Sequence, residues 1–129
     1  MDVWRGIRKG SYREYEDGWI AFEVFLRNAR DLDGVSIGQT PESVMTRAPG
    51  SAGLAVLPIF EINQINSAVP PHKLAVVFDE PPHGYIGHVP FAHVGLKIAE
   101  KVAGDLARIA SLMPRDKFAE LKKEALNTK

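Results

Sequence analysis

The longest regular pattern of apolar and polar positions covers residues 90–113. Apolar side chains recur there every three or four residues, which is the repeat of one face of an α-helix, and charged side chains fall between them. This apolar face consists of Val94, Ile98, Val102, Leu106, Ile109 and Met113. The pattern predicts a long helix over residues 90–113 that Pro114 stops, with the face from Ile98 to Leu106 almost fully buried.

Five shorter segments have the character of β-strands. Residues 2–8 show the period of two that a half-buried strand requires. Arg5 then lies on the same side as Val3 and Ile7. Its charged head must therefore reach water at the sheet edge, meet a protein carboxylate, or point into a cleft where it holds an anion. The candidate carboxylates are those of Glu61, Asp79 and Glu80. The other predicted strands are short apolar runs near turn residues, at 35–37, 54–57, 74–78 and 83–89.

Helical segments lie between the strands. Thr40, Pro41 and Glu42 form the clearest start signal, because threonine caps, proline suits the first position and a carboxylate favours the positive end of the helix dipole. This helix is predicted to run to Arg47. Apolar residues at helical spacing also predict helices at residues 19–28 and 59–66. A last helix is predicted after Asp116, where Phe118, Leu121 and Ala125 form a narrow apolar stripe.

This order of elements predicts an α+β protein. The expected architecture is a small mixed or antiparallel sheet of about five strands, packed on the long C-terminal helix and two shorter helices. The connections between the last three strands are too short for parallel crossovers. We expect one domain over residues 1–113, followed by a C-terminal helical tail over residues 114–129.

Composition narrows the classes of function. The 129 residues include 16 basic and 16 acidic side chains, so the chain lacks the basic excess that nucleic-acid binders usually show. It has no cysteine, which excludes disulfides and thiolate chemistry. Asp2, directly after the first residue, argues against a signal peptide, and no apolar run reaches the roughly 18 residues of a membrane span. We therefore expect a soluble, cytoplasmic protein that has neither nucleic acid nor a membrane as its partner.

No cluster of residues carries a specific catalytic signature. The four histidines lack the spacing of zinc motifs, so no metal site is predicted. The serines lack the flanking glycines of a nucleophile elbow. The backbone amides that follow Thr40, including that of Glu42, are a candidate for holding an anion, as at any capped helix start.

Six short motifs follow one another along the chain: Arg5-Gly6-Ile7, Phe22, Asp33-Gly34-Val35-Ser36, Pro41-Glu42, His83 and Val89-Pro90. This series resembles a group of short, uncharacterised bacterial proteins. Those proteins share an Arg-Gly-Ile strand, a phenylalanine-bearing helix, an Asp-Gly-x-Ser turn and strand, a helix begun by Pro-Glu, a histidine before a short strand, and an alanine-rich C-terminal helix. The resemblance covers about residues 3–112 and implies no established activity.

Arg5, Ser36 and Glu80 stand in an order similar to that of ADP-ribosyltransferases. Those enzymes place an arginine on the first strand, a serine on a middle strand and a glutamate near a later strand. The flanking motifs of that superfamily are absent, and Pro81 directly after Glu80 is a departure. The likeness implies an activity that binds or consumes NAD. In it, Arg5 would clamp a phosphate and Ser36 would orient a ribose or ring. Either Glu80 or His83 would polarise the reacting centre.

Two functions from different classes are therefore expected. The first is a small accessory or protein-interaction domain without a cofactor. It would bind a partner protein or a second copy of itself through the C-terminal helix, whose apolar line is too thin for a core but adequate for a groove. The alternative is a nucleotide- or NAD-handling enzyme, ADP-ribosyltransferase-like or toxin-like. Convergence of Arg5, Ser36 and His83 on one pocket would favour the enzyme.

Overall fold

A computed structural model describes residues 1–8, 20–27, 33–67, 72–93, 95–114 and 117. Within them the strands are β1 (Asp2–Arg8), β2 (Val35–Gly38), β3 (Ser51–Pro58), β4 (Ala75–Glu80), β5 (His83–Gly87) and β6 (Ser111–Pro114). They form one antiparallel sheet in the order β4-β5-β2-β1-β3-β6. The helices are α1 (Pro41–Arg47), α2 (Ile59–Ile62) and α3 (Leu96–Ile109), with a short 3₁₀ helix at Phe22–Phe25.

The predicted α+β class is confirmed, and the sheet is antiparallel throughout the described residues. The bounds of β1 and α1 are those that the sequence predicts. Strands β2 to β5 occupy the other four predicted segments with small shifts at their ends, and α2 is the expected helical turn after β3. The sequence does not predict β6, which raises the number of strands to six.

The long C-terminal helix is shorter than its apolar pattern predicts. It begins at Leu96 rather than Pro90, because Phe91 forms a parallel bridge with Arg27 and the two residues after it form a turn. It ends at Ile109, since Ala110 has an extended backbone with φ −80° and ψ 146°. The four residues that follow pair with β3 as strand β6, so the helical assignment of residues 110–113 is wrong.

The buried face of α3 is also rotated relative to the prediction. Ile98 is 49% exposed, so the expectation that it lies in the core is wrong. The residues of α3 that are buried are Ala99, Val102, Ala103 and Leu106. Two of these four are alanines, whose small side chains allow close packing, and among the described elements α3 packs chiefly on the 3₁₀ helix.

The main core lies between one face of the sheet and α3, and we call this side the core face. Alternate residues of β1 and β2 point toward it, as the period of a strand requires. One cluster of buried side chains there combines β1 and β2 with the centre of α3 and with Phe25 of the 3₁₀ helix; it includes Val3, Ile7, Val35, Ile37, Val102 and Leu106.

The opposite side of the sheet carries α1, and we call it the α1 face. A Cβ atom on Gly6 would lie 3.4 Å from Val44 Cγ1 and 3.6 Å from Ala48 Cβ, so α1 covers β1 at this glycine. Thr40 caps α1 as predicted: its Oγ1 accepts a hydrogen bond from the Ser43 amide at 3.1 Å. The Ser43 hydroxyl oxygen in turn accepts one from the Thr40 amide at 3.4 Å, which completes a capping box.

The predicted helix at residues 19–28 is a single 3₁₀ turn over Phe22–Phe25 in the part that the structure describes. Residue 19 and residue 28 themselves lie outside the described residues. The predicted helix after Asp116 also lies outside them, apart from Lys117, so the tail over residues 114–129 stays a prediction beyond Pro114. Of the helices described, none combines the length and the apolar character that crossing a membrane requires.

Candidate functional site

Arg5 connects three elements through its guanidinium group. Its Nε donates a hydrogen bond to the main-chain oxygen of Val24 in the 3₁₀ helix at 2.6 Å. Its Nη1 donates to the main-chain oxygen of Ser36 in β2 at 2.7 Å. The side chain is half-buried on the core face, beside the fully buried Val3 and Ile7. Backbone carbonyls thus supply acceptors for this permanent charge.

The Arg5 contact falls where the sheet is weakly paired. β1 pairs with β3 along its length, from Asp2 opposite Pro58 to Arg8 opposite Ser51. With β2, by contrast, the paired position in the described residues is Trp4 opposite Gly38. The bond from Arg5 to Ser36 therefore replaces part of the missing ladder between β1 and β2, and it fixes the position of β2.

Ser36 presents its side chain to the α1 face. It is two residues before Gly38, which lies under α1, and residues two apart on a strand share a face. Arg5 belongs to the opposite face, so it touches the backbone of Ser36 and not its hydroxyl. Ser36 is exposed and lies directly opposite Tyr85 of β5, which puts the two side chains side by side.

His83 and Glu80 lie beside this pair. His83 is directly opposite Gly38 across the β2–β5 ladder, so its imidazole is on the α1 face with Ser36. Glu80 pairs with His83 across the turn between β4 and β5, and its side chain is exposed. Ser36, His83 and Glu80 thus come from three adjacent strands. The convergence of Arg5, Ser36 and His83 on one pocket, which would favour an enzyme, is not met, because the Arg5 side chain points to the other face.

The start of α1 adjoins the same turn. The amide of Gln39 donates to the main-chain oxygen of Pro82 at 2.8 Å, which ties the residue before Thr40 to the β4–β5 connection. The Ser43 amide donates to Thr40 Oγ1, so the cap already uses one of the amides proposed for anion binding. Glu42 is exposed beside it. This end of α1 therefore borders the Glu80–His83 turn.

Tyr85 is a residue of this site that the sequence analysis missed. It lies opposite Ser36 on one side and opposite Val77 of β4 on the other. It also shares a face with His83, two residues earlier on β5. The alternation of β5 contains this signal, because a strand that starts at His83 must place Tyr85 on the same side.

The remaining histidines lie elsewhere. The rings of His72 and His88 stack at 4.7 Å with an angle of 5° between their planes. His93 has a tilted contact with Phe91 at 5.0 Å between ring centroids. Within the described ranges, no three histidine or acidic side chains gather as a metal site would require.

Comparison with protein-family models finds no match to this chain, and neither curated proteins nor solved structures yield one.

Proposed function

We propose that this chain is a nucleotide-handling enzyme whose ligand binds on the α1 face of β2 and β5, beside the β4–β5 turn. The proposal is carried by one observation: Ser36 and His83, far apart in sequence, share this face on adjacent strands, and Arg5 holds the backbone of Ser36 at 2.7 Å. The ligand that fits the likeness to ADP-ribosyltransferases is NAD. The activity proposed is thus an NAD-consuming one.

Each residue has a separate role in this proposal. The exposed hydroxyl of Ser36 both donates and accepts hydrogen bonds, so it suits a ribose or a ring amide. His83 or Glu80 would polarise the reacting centre, since each can exchange a proton or offset developing charge. Arg5 acts as a positioning residue, because its Nε and Nη1 bind backbone carbonyls and hold β2 in place.

A thermal-shift titration with NAD, ATP and inorganic phosphate tests the proposal, because a ligand that binds the folded state alone raises the melting temperature. We expect NAD to raise it for the wild-type protein and for S111A, a control at an exposed serine on β6. Ser36→Ala and His83→Ala should lose the shift. Release of nicotinamide from NAD, measured by chromatography, then tests turnover.

The proposal is wrong if NAD and ATP leave the wild-type melting temperature unchanged at millimolar concentration. It is also wrong if Ser36→Ala and His83→Ala respond as S111A does. Loss of nicotinamide release with retained binding in Glu80→Gln would assign the polarising role to Glu80, whereas retention of both in Glu80→Gln would leave that role to His83.

A second proposal is a protein-interaction domain. Phe60, Leu96 and Ile98 are large apolar residues that are exposed by 75%, 55% and 49%. Exposed apolar side chains of this size are common where proteins bind one another. The partner would be another protein or a second copy of the chain, held through the tail that follows Pro114, where the sequence predicts a helix.

Sedimentation velocity separates self-association from a monomer. We expect deletion of residues 115–129 to weaken any association of the wild-type chain while leaving the fold intact, as judged by cooperative unfolding in urea. Association that persists after this deletion and is lost in Ile98→Ser would move the interface to α3. A monomer at every concentration would contradict self-association.

A further inference from the structure

We propose that the outer edge of β4 is a dimerisation surface, at which β4 pairs antiparallel with β4 of a second copy of this chain. β4 is the first strand in the order of the sheet, so β5 covers one of its edges and no described strand covers the other. An exposed strand edge is a template for pairing with another chain. This surface is distinct from the tail considered above and independent of any nucleotide site.

The backbone groups of β4 point alternately to its two edges, as in any strand. Val77 turns its main-chain oxygen toward β5. Leu74, three residues earlier, points the opposite way, because its amide donates to the main-chain oxygen of Ile65 at 3.0 Å. Val76 and Phe78 share the direction of Leu74, so their N–H and C=O groups lie at the outer edge. Within the described residues, these groups form no hydrogen bond there.

One antiparallel register pairs these groups completely. If Val76 of each copy lies opposite Phe78 of the other, both pairs exchange their N–H···O bonds, as hydrogen-bonded pairs of an antiparallel ladder do. Val77 then lies opposite Val77 of the second copy on the twofold axis. It has no hydrogen bond across the axis, and at such positions the two Cα atoms are roughly 4.5 Å apart. The edge is therefore complementary to itself, as a symmetric dimer requires.

The neighbours of β4 limit this pairing to residues 75–79. At one end, Ile65 already occupies the place opposite Leu74. At the other end, Glu80 pairs with His83 of β5, and the turn at residues 81–82 takes the chain away from the outer edge. Residues 75–79 amount to an ordinary strand length.

The side chains on the α1 face of β4 also complement one another in this register. Val77 is 38% exposed although it is apolar, and the two Val77 side chains would cover each other at the axis. Lys73 and Asp79 are exposed and share this face with Val77, since residues two apart on a strand do. Lys73 stands diagonally across from Asp79 of the second copy, at roughly 7–8 Å, which a long side chain can span. An opposite-charge pair thus flanks the axis on each side, which favours a second copy of this chain over an unrelated strand.

Disulfide crosslinking tests the position on the twofold axis. The chain has no cysteine, so Val77→Cys introduces a single thiol. Directly opposite positions without hydrogen bonds have the Cα separation that a disulfide needs. We expect Val77→Cys to form a covalent dimer under mild oxidation. Ile98→Cys, at an exposed apolar residue of α3, is the control and should stay largely monomeric under the same conditions.

Charge reversal tests the register, with sedimentation velocity as the measurement. The wild type should show a reversible dimer. Lys73→Asp and Asp79→Lys should each raise the dimer dissociation constant about threefold to thirtyfold, because each replaces two attractive pairs by two repulsive ones. The double variant exchanges the charges and should dimerise within about twofold of the wild type. Lys97→Asp, at an exposed position of α3, is the control and should leave the dissociation constant unchanged.

A wild type that stays monomeric at millimolar concentration would overturn the proposal. Equal crosslinking of the two cysteine variants would overturn it as well. A dimer that responds to Lys73→Asp no more than to Lys97→Asp, or that the exchanged charges do not restore, would place the association elsewhere, such as at the tail. If a charge variant does not unfold cooperatively in urea, the crosslinking comparison decides.

Discussion

Arg5 Nη1 donates a hydrogen bond to the main-chain oxygen of Ser36 at 2.7 Å, and this bond joins β1 to β2 through a side chain. The second bond of Arg5, from Nε to the oxygen of Val24, adds the 3₁₀ helix to the same junction. A guanidinium group suits this role because its donors are planar and fixed in direction, and because its charge strengthens each hydrogen bond. Arg5 thus holds together three elements that come from separate parts of the chain.

Arg5→Ala should lower the free energy of unfolding by ~1–3 kcal/mol, because the part-buried carbonyl of Val24 and the exposed carbonyl of Ser36 would lose charged donors. Arg5→Lys should recover only part of this loss, since an ammonium group lacks the fork that reaches both carbonyls. Arg47→Ala, at an exposed position in the last turn of α1, is the control and should cost under about 1 kcal/mol. Urea titrations measure all three.

Arg5→Ala also decides between the two roles that the sequence leaves open for this arginine. If Arg5→Ala has the same free energy of unfolding as the wild type but no thermal shift with NAD, the guanidinium group binds the ligand. A large loss of stability shows the structural role that the two carbonyl contacts support.

Leu106→Ala should cost ~2–5 kcal/mol, as truncation of a fully buried leucine does. Ile98→Ala should cost no more than about 1 kcal/mol, because Ile98 is 49% exposed and few of its contacts are buried. Both residues are on α3, so helix propensity changes little between the two experiments. Equal losses of unfolding free energy in a denaturant titration would show that Ile98 is buried as Leu106 is, as the apolar pattern of the sequence predicts.

Local signals account for the elements that the sequence predicts well. Thr40, Pro41 and the short apolar pattern after them contain all that is needed to start and orient α1. The strand β1 is likewise visible from its own alternation. Such elements need no knowledge of their neighbours, which is why their bounds agree with the structure.

Elements set by distant parts of the chain could not be predicted in this way. Residues 111–114 form β6 because β3 offers them an edge, with Ser111 opposite Val56, and nothing local marks that partner. The rotation of α3 depends on its packing on the 3₁₀ helix and the core, which buries Ala99 and Ala103, whereas hydrophobicity alone favours Ile98. Sequence order alone cannot show that the Arg5 guanidinium and the Ser36 hydroxyl lie on opposite faces.

Thr40→Ala should destabilise the protein by ~0.5–2 kcal/mol. The Thr40 hydroxyl accepts a hydrogen bond from the Ser43 amide, so the substitution would remove the capping box. Thr46→Ala, at an exposed position in the same helix, should change stability by no more than about 0.5 kcal/mol. Thermal unfolding of the two variants provides the comparison. Equal melting temperatures would mean that the cap contributes nothing beyond an exposed threonine.

Gly38→Ala should cost ~1–3 kcal/mol, the range for overpacking a closed contact. A Cβ there would lie 2.5 Å from Ser43 Oγ and 2.7 Å from Val44 Cγ2, so β2 and α1 would have to separate. Ser43 cannot simply rotate away, because its hydroxyl donates to the Thr40 oxygen at 2.8 Å within the cap. Gly104→Ala is the matched control. Among the described residues, no atom apart from the adjacent backbone of the helix lies within 4 Å of the new Cβ, so this change should stabilise α3 by ~0.5–1 kcal/mol.

The clash at Gly38 predicts a specific coupling with Ser43. In the double variant Gly38→Ala with Ser43→Ala, the hydroxyl that meets the new methyl group is gone. The combined loss should therefore be smaller than the sum of the two single losses, by about 0.5 kcal/mol or more. Urea titrations of the wild type, the two single variants and the double variant measure this coupling. Additive losses of stability would mean that the clash is with the Val44 methyl group or is relieved by a shift of the backbone. The close approach of α1 to β2 would then not depend on the Ser43 hydroxyl.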